Sequence, residues 1–199
     1  MNSLETLQTV GQSIWLDFIT RRFITDGQLA AHVKEDGLRG VTSNPTIFQK
    51  AIAQSNDYDS VIQNLLTQNQ SSTSIFEEIA ISDIQKACDV FGPVYAQTKG
   101  QDGFVSLEVN PHLARDTQGT IEEAARLAKR VNRSNLMIKI PATVEGLPAI
   151  TESLAQGISI NITLIFSLER HQQVMEAWGA RARKSTQTRQ AFAIVSVGG

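Results

Sequence analysis

The chain has 199 residues, 41% hydrophobic and 19% charged, with a formal net charge of −2. This is the balance of an ordinary folded chain, which excludes intrinsic disorder and supplies no basic field for nucleic acid or an anionic membrane. The single Cys88 excludes an internal disulfide, no CxxC or His/Cys cluster has metal-ligand spacing, and no stretch of about 18 apolar residues occurs. The N-terminus has no basic stretch followed by an apolar one, so the sequence predicts a cytoplasmic protein of small-molecule chemistry that needs no metal.

Apolar segments of strand length alternate with segments of helical period, the order expected of parallel β/α units. Strands are predicted at "SIWLDFI" (13–19), "RGVTSN" (39–44), "GFVSLEVN" (103–110), "NLMIKIP" (135–141), "SINITLIF" (159–166) and, more weakly, "FAIVSV" (192–197). Capping-box spacing predicts helix starts at Thr25 with Gln28, Ser74 with Glu77, and Thr120 with Glu123. Gly37 and Gly157 read as helix stops, and the stretch from Pro45 to about Val90 is long enough for three helices. From Trp178 onward the chain carries Arg181, Arg183, Lys184 and Arg189 but no acid. Residues 1–177 therefore read as the body of the fold, and 178–199 as a divergent basic segment with the character of a frame-shifted or truncated continuation.

Lys139 stands in the middle of an otherwise buried strand, where an ammonium group must be paired, neutralised or reach water. Residues two apart share a strand face, so Met137, Lys139 and Pro141 point one way and Leu136, Ile138 and Ile140 the other. The same parity test offers Asp17 on the first strand, Thr42 and Asn44 on the second, Glu108 with Ser106 and Asn110 on the third, and Asn161 with Thr163 on the fifth. In a barrel these would converge near the carboxyl ends of the strands, where barrel active sites are built. A lysine enclosed by apolar neighbours has its charged form disfavoured, which leaves amine to attack a carbonyl and form a Schiff base. Carboxylates beside the imine can then move protons during carbon–carbon cleavage. Asn44 before Pro45 has a second reading, as a helix N-cap. No GxGxxG follows the first strand, which disfavours a dinucleotide-binding domain.

The motifs "WLDFI", "GVTSNPTIF", "VSLEVNPHLARDT", "MIKIPAT.EGL.AI" and "INITLIFS", in this order from Leu16 to Ser167, resemble the N-terminal and central motifs of transaldolases. The resemblance implies an α/β fold of the TIM (β/α)₈ type. That barrel typically takes about 250 residues, so the sequence predicts it incomplete, with five to six of the eight units. It implies transfer of a dihydroxyacetone unit in the pentose phosphate pathway, from fructose 6-phosphate or sedoheptulose 7-phosphate to an aldose phosphate (glyceraldehyde 3-phosphate or erythrose 4-phosphate), with no cofactor. Carried onto matching positions, Lys139 forms the Schiff base and Asp17 exchanges the proton of the hydroxyl whose carbon becomes the aldehyde. Glu108 acts through a water that Thr163 helps to hold, Asn44 and Asn161 bind the dihydroxyacetone hydroxyls, and Thr42 lines the site. Two alternatives stay open: a Schiff-base aldolase that releases dihydroxyacetone, and a non-catalytic fragment. An incomplete barrel also predicts self-association through exposed strand edges and apolar surface.

Overall fold

The computed structural model describes residues 3–184 and 193–195, with side chains through residue 180. The chain divides into two compact units, Met1–Val105 with Arg133–Asn135 and Ser106–Asn132 with Leu136–Gly199.

In the first unit, α1 (Ser3–Thr9) precedes β1 (Trp15–Leu16), α2 (Arg21–Thr25), α3 (Gln28–Glu35) and β2 (Gly40–Val41). Three helices follow, α4 (Pro45–Ala53), α5 (Asp59–Thr67) and α6 (Ser72–Gln97), before the chain enters β3 (Phe104–Glu108). β1, β2 and the start of β3 pair in parallel, with Trp15 beside Gly40, Leu16 beside Val41, and Gly40 beside Phe104. Gly40 is dictated by that pairing, because a Cβ there would collide with the Trp15 ring. Ala51, Tyr58, Ile75 and Ile79 bring α4, α5 and α6 together in one apolar cluster.

The second unit takes β3 from Ser106, a 3₁₀ turn (Pro111–Leu113), α7 (Thr117–Val131), β4 (Leu136–Pro141), α8 (Gly146–Ala155), β5 (Ile160–Thr163), α9 (Leu168–Lys184) and β6 (Ala193–Val195). Its strands follow one another in chain order and pair in parallel. α7 is amphipathic: Thr120, Ala124, Leu127 and Val131, spaced by three and four residues, form its buried stripe. It packs on β4 and α8, and α8 packs on α9, where Thr151 Oγ1 donates to the Ala177 carbonyl at 3.0 Å.

All six predicted strands are present, shorter than the sequence suggests, and residues 45–97 hold three helices as expected. The predicted helix starts need correction. α7 begins three residues before Thr120, capped by Asp116, whose carboxylate accepts from the Gly119 N–H at 2.9 Å; Thr120 is buried and donates to the Leu113 carbonyl. α6 begins before Ser74, capped by Ser71. In both cases a good capping residue stands one turn upstream of the expected one, and the first available cap wins. Thr25 ends α2, which Thr20 caps, and Gly27 in the left-handed conformation (φ 80°) leads into α3. Asn110 lies beyond β3, where its Oδ1 accepts from the His112 N–H and caps the 3₁₀ turn. α9 runs without a break across residue 178; residues 185–192 and 196–199 lie outside the described part.

Asn135 ties the first unit together, donating from Nδ2 to the carbonyls of Cys88 and Gly103, both at 2.9 Å. Asn135→Ala leaves both acceptors buried, and we expect a loss of about 2–3 kcal/mol in urea unfolding. Asp116→Ala, which removes one exposed cap, is expected to lose about 1 kcal/mol in the same measurement.

Candidate functional site

β4 is buried along its whole length, and Lys139 is 5% exposed within it. Its Nζ stands 3.4 Å from Oε2 of Glu108, the last residue of β3, whose side chain is 14% exposed. The β4–β5 register sets Asn161 beside Lys139 and Thr163 beside Pro141. Neighbouring residues across a sheet share a face, so Lys139 and Asn161 point to the same side. Asn161 Nδ2 donates to Ser106 Oγ at 2.8 Å, and both are buried.

That last bond reveals the curvature of the strands. β4 separates β3 from β5, and at about 4.8 Å per strand a flat sheet would hold their backbones roughly 10 Å apart. Serine and asparagine are too short to meet over that span unless the three strands bend around the face that carries Lys139. The result is a concave, polar surface with the lysine in its middle strand. At its rim Thr163 Oγ1 is buried and finds no protein partner among the described residues. The next residue, Leu164, adopts φ 61°, a left-handed conformation that costs a branched residue about 1–2 kcal/mol. Strain of this kind concentrates where a chain must aim a neighbouring group.

The remaining three expected residues belong to the first unit and lie at the carboxyl ends of its strands. Asp17 follows β1 immediately, is exposed, and lines a cleft of about 520 Å³ with Phe18, Thr20, Arg22, Ile47 and Lys50, among others. Thr42 follows β2; its N–H bonds to the Leu16 carbonyl at 2.9 Å, which sets it next to the start of the Asp17 segment. Thr42 Oγ1 is buried without a protein partner among the described residues. Asn44 caps α4, its Oδ1 accepting from the Ile47 N–H at 2.9 Å, so its Nδ2 is the group left to address anything else. Both readings of Asn44 are therefore compatible.

The structure thus brings Glu108, Lys139, Asn161 and Thr163 to one face of the second unit, and Asp17, Thr42 and Asn44 to one end of the first. Ser106 had been grouped with Glu108 by parity, but its bond to Asn161 depends on strand curvature, which the sequence does not display. Asp83, buried inside α6, was missed; its signal is an acid at a position where the helix otherwise buries Ile79, Ala80, Ile84 and Ala87. Among the described residues no group of three or more His, Cys, Asp or Glu is placed to hold a metal ion, and no helix is long and apolar enough to cross a membrane.

Residues 14–197 match the family model described as transaldolase/fructose-6-phosphate aldolase. A transaldolase of Thermobifida fusca is 50% identical over 184 residues, covering 92% of this chain and 50% of its own. The transaldolase of Trichodesmium erythraeum is 46% identical over 177 residues, 89% of this chain and 46% of its own. That of Thiobacillus denitrificans is 42% identical over 201 residues, 99% of this chain and 56% of its own. The chain spans about half the length of the curated relatives it matches. Among solved structures, a candidate fructose-1,6-biphosphate aldolase from Coccidioides immitis aligns with 98% of this chain and 76% of its own, at 13% identity and a TM-score of 0.42, too loose a likeness to bear on the site. With nearly its whole length matched by one family model, the chain belongs to the transaldolase/fructose-6-phosphate aldolase family.

Proposed function

We propose that the chain performs Schiff-base transaldolase chemistry, moving a dihydroxyacetone unit from a ketose phosphate to an aldose phosphate. The observation that carries this reading is the buried Lys139 amine 3.4 Å from the Glu108 carboxylate on a concave polar face. Contact with Glu108 gives a proton on Lys139 a nearby destination, and the amine so released attacks the C2 carbonyl of the donor. The resulting carbinolamine loses water as Glu108, acting through a water held by Thr163, returns a proton to the departing hydroxyl. The protonated imine then draws electrons from the C3–C4 bond while Asp17 takes the proton of the C4 hydroxyl. That bond breaks, C4 becomes the carbonyl of the departing aldose phosphate, and an enamine remains on Lys139. Attack of the enamine on an acceptor aldehyde, followed by hydrolysis, reverses these steps.

Asn161 and the Nδ2 of Asn44 hold the dihydroxyacetone hydroxyls, and Thr42 lines the site. The orphaned hydroxyls of Thr42 and Thr163 support this reading, since a buried polar atom without a partner is costly unless substrate or water completes it. The reaction needs no cofactor and sits among the pentose phosphate interconversions, a cytoplasmic pathway. The second reading, an aldolase that releases free dihydroxyacetone, is favoured by the breadth of the family description, which includes fructose-6-phosphate aldolase. It shares every step up to the enamine and differs in what the enamine meets next.

Borohydride treatment with fructose 6-phosphate is expected to leave a donor-dependent adduct on Lys139, located by peptide mass spectrometry and absent from Lys139→Met. Glu108→Gln is expected to slow adduct formation by about 10² or more. A folded chain with no adduct, or with the adduct on another lysine, overturns the reading. Release of free dihydroxyacetone in the presence of erythrose 4-phosphate selects the aldolase instead.

The same pair makes a stability prediction. Lys139→Met removes the Lys139 cation from the half-buried Glu108 and should cost about 3 kcal/mol, whereas Lys139→Met combined with Glu108→Leu should unfold at no lower urea concentration than the parent.

A further inference from the structure

The mechanism makes no use of Asp83. Its side chain is 0% exposed, midway along α6, where its neighbours on the buried side of the helix are apolar. Its partner comes from far away in sequence: Arg21 Nε donates to Asp83 Oδ1 at 2.9 Å, and the Arg21 side chain is only 15% exposed. The Arg21 guanidinium carbon also lies 4.5 Å from the centre of the Tyr58 ring, while the Arg21 backbone N–H donates to the Tyr58 hydroxyl at 2.9 Å. Burial, followed by the neighbouring Asp83 charge, pushes the Tyr58 hydroxyl up to about 12. Lys86, at 3.7 Å, adds a second cation to Asp83. One residue is thus held at its backbone, its ring-stacking plane and its charge.

Arg21 is the first residue of α2 and stands four positions after Asp17. The intervening segment is fixed at one end by β1, whose Leu16 carbonyl accepts from Thr42, and in its middle by Ile19, which is fully buried. Asp17 itself is exposed, so its own side chain does not hold it in place. The Arg21 clamp is the other fixed end of this short tether. Both residues that form it, Tyr58 and Asp83, come from the three-helix stretch between β2 and β3, which is longer than a simple crossover requires.

We propose that Tyr58 and Asp83 are positioning residues for Asp17, acting through Arg21, and that they serve the carbon–carbon cleavage step rather than Schiff-base formation. This inference rests on the function proposed above. Misplacement of a catalytic group by about 1 Å costs on the order of 10² in rate, so a clamp at this distance has leverage on cleavage without touching Lys139.

Borohydride trapping separates the two steps, because the adduct trapped before cleavage carries the six-carbon sugar phosphate and the adduct trapped after it carries three carbons. In Asp83→Asn, and in the milder Tyr58→Phe, which keeps the ring beneath the guanidinium, the ratio of six-carbon to three-carbon adduct on Lys139 should rise by about tenfold or more, with total adduct within about twofold of the parent. Asp17→Asn should show the same accumulation more strongly. If total adduct falls in both variants while the ratio stays constant, or if neither quantity moves, the positioning role is overturned and the cluster is only structural. A parent chain that yields no Lys139 adduct overturns the proposed function, and this inference with it, and is told apart because the failure is seen before any substitution.

Discussion

The contact between Lys139 and Glu108 is the constraint around which the second unit is arranged. Taking an ammonium and a carboxylate out of water costs several kcal/mol per ion, and their mutual attraction offsets that cost only with good geometry and further polar partners. A strand packed only by Leu136, Met137, Ile138 and Ile140 would be simpler and at least as stable. Lys139 is accommodated in β4 beside a polar face to which Ser106, Asn161 and Thr163 contribute. Curvature then follows, since Ser106 and Asn161 meet across the intervening strand only if the sheet bends toward them. One buried cation therefore explains the polar residues on three strands and the concavity of the face they share.

The first unit answers a different problem, that of holding exposed or loop-borne groups still. Its strands β1 and β2 are two residues long, too short to fix by themselves the residues that follow them. The chain compensates with local anchors. Thr20 and Asn44 cap the helices that start directly after these segments, accepting from Phe23 and Ile47, and Ile19 and Val41 are fully buried. The Arg21–Tyr58–Asp83 cluster extends the same logic over a longer range. It recruits helices that would otherwise be only a long connection.

How much of this was legible in the sequence depends on the range over which each feature is determined. Strand parity is a period-two property of adjacent residues, so the grouping of Met137, Lys139 and Pro141, and of Asn161 with Thr163, follows directly from the chain. Helix starts were legible only to within a turn, because Ser71 and Asp116 cap as well as Ser74 and Thr120 and nothing local ranks them. The bond between Asn161 and Ser106 needed curvature, a property of several strands at once. The clamp on Arg21 joins residues 37 and 62 positions away, and no pattern near Arg21 announces either partner. The transaldolase motifs carried the site residues further than periodicity could, yet they say nothing of Asp83, which lies outside every one of them.

Several features that local rules disfavour fall at or near the expected site residues. Lys139 is buried on β4, Thr42 follows β2, Thr163 ends β5 with its hydroxyl, like that of Thr42, buried and unpartnered among the described residues, and the left-handed Leu164 comes next. Elsewhere α7 buries a regular apolar stripe, Asn135 satisfies two carbonyls at once, and glycine occupies the position where the Trp15 ring leaves no room, while Lys99 is also left-handed and Ser153 Oγ is also buried without a hydrogen-bond partner among the described residues. Sequences tend to agree with their folds at every level except where function demands otherwise. In the function proposed above, substrate or a held water would supply partners for the buried polar groups of Lys139, Thr42 and Thr163. Asp83 differs from these in that Oδ1 of its buried carboxylate is paired with Arg21, although Oδ2 has no hydrogen-bond partner among the described residues.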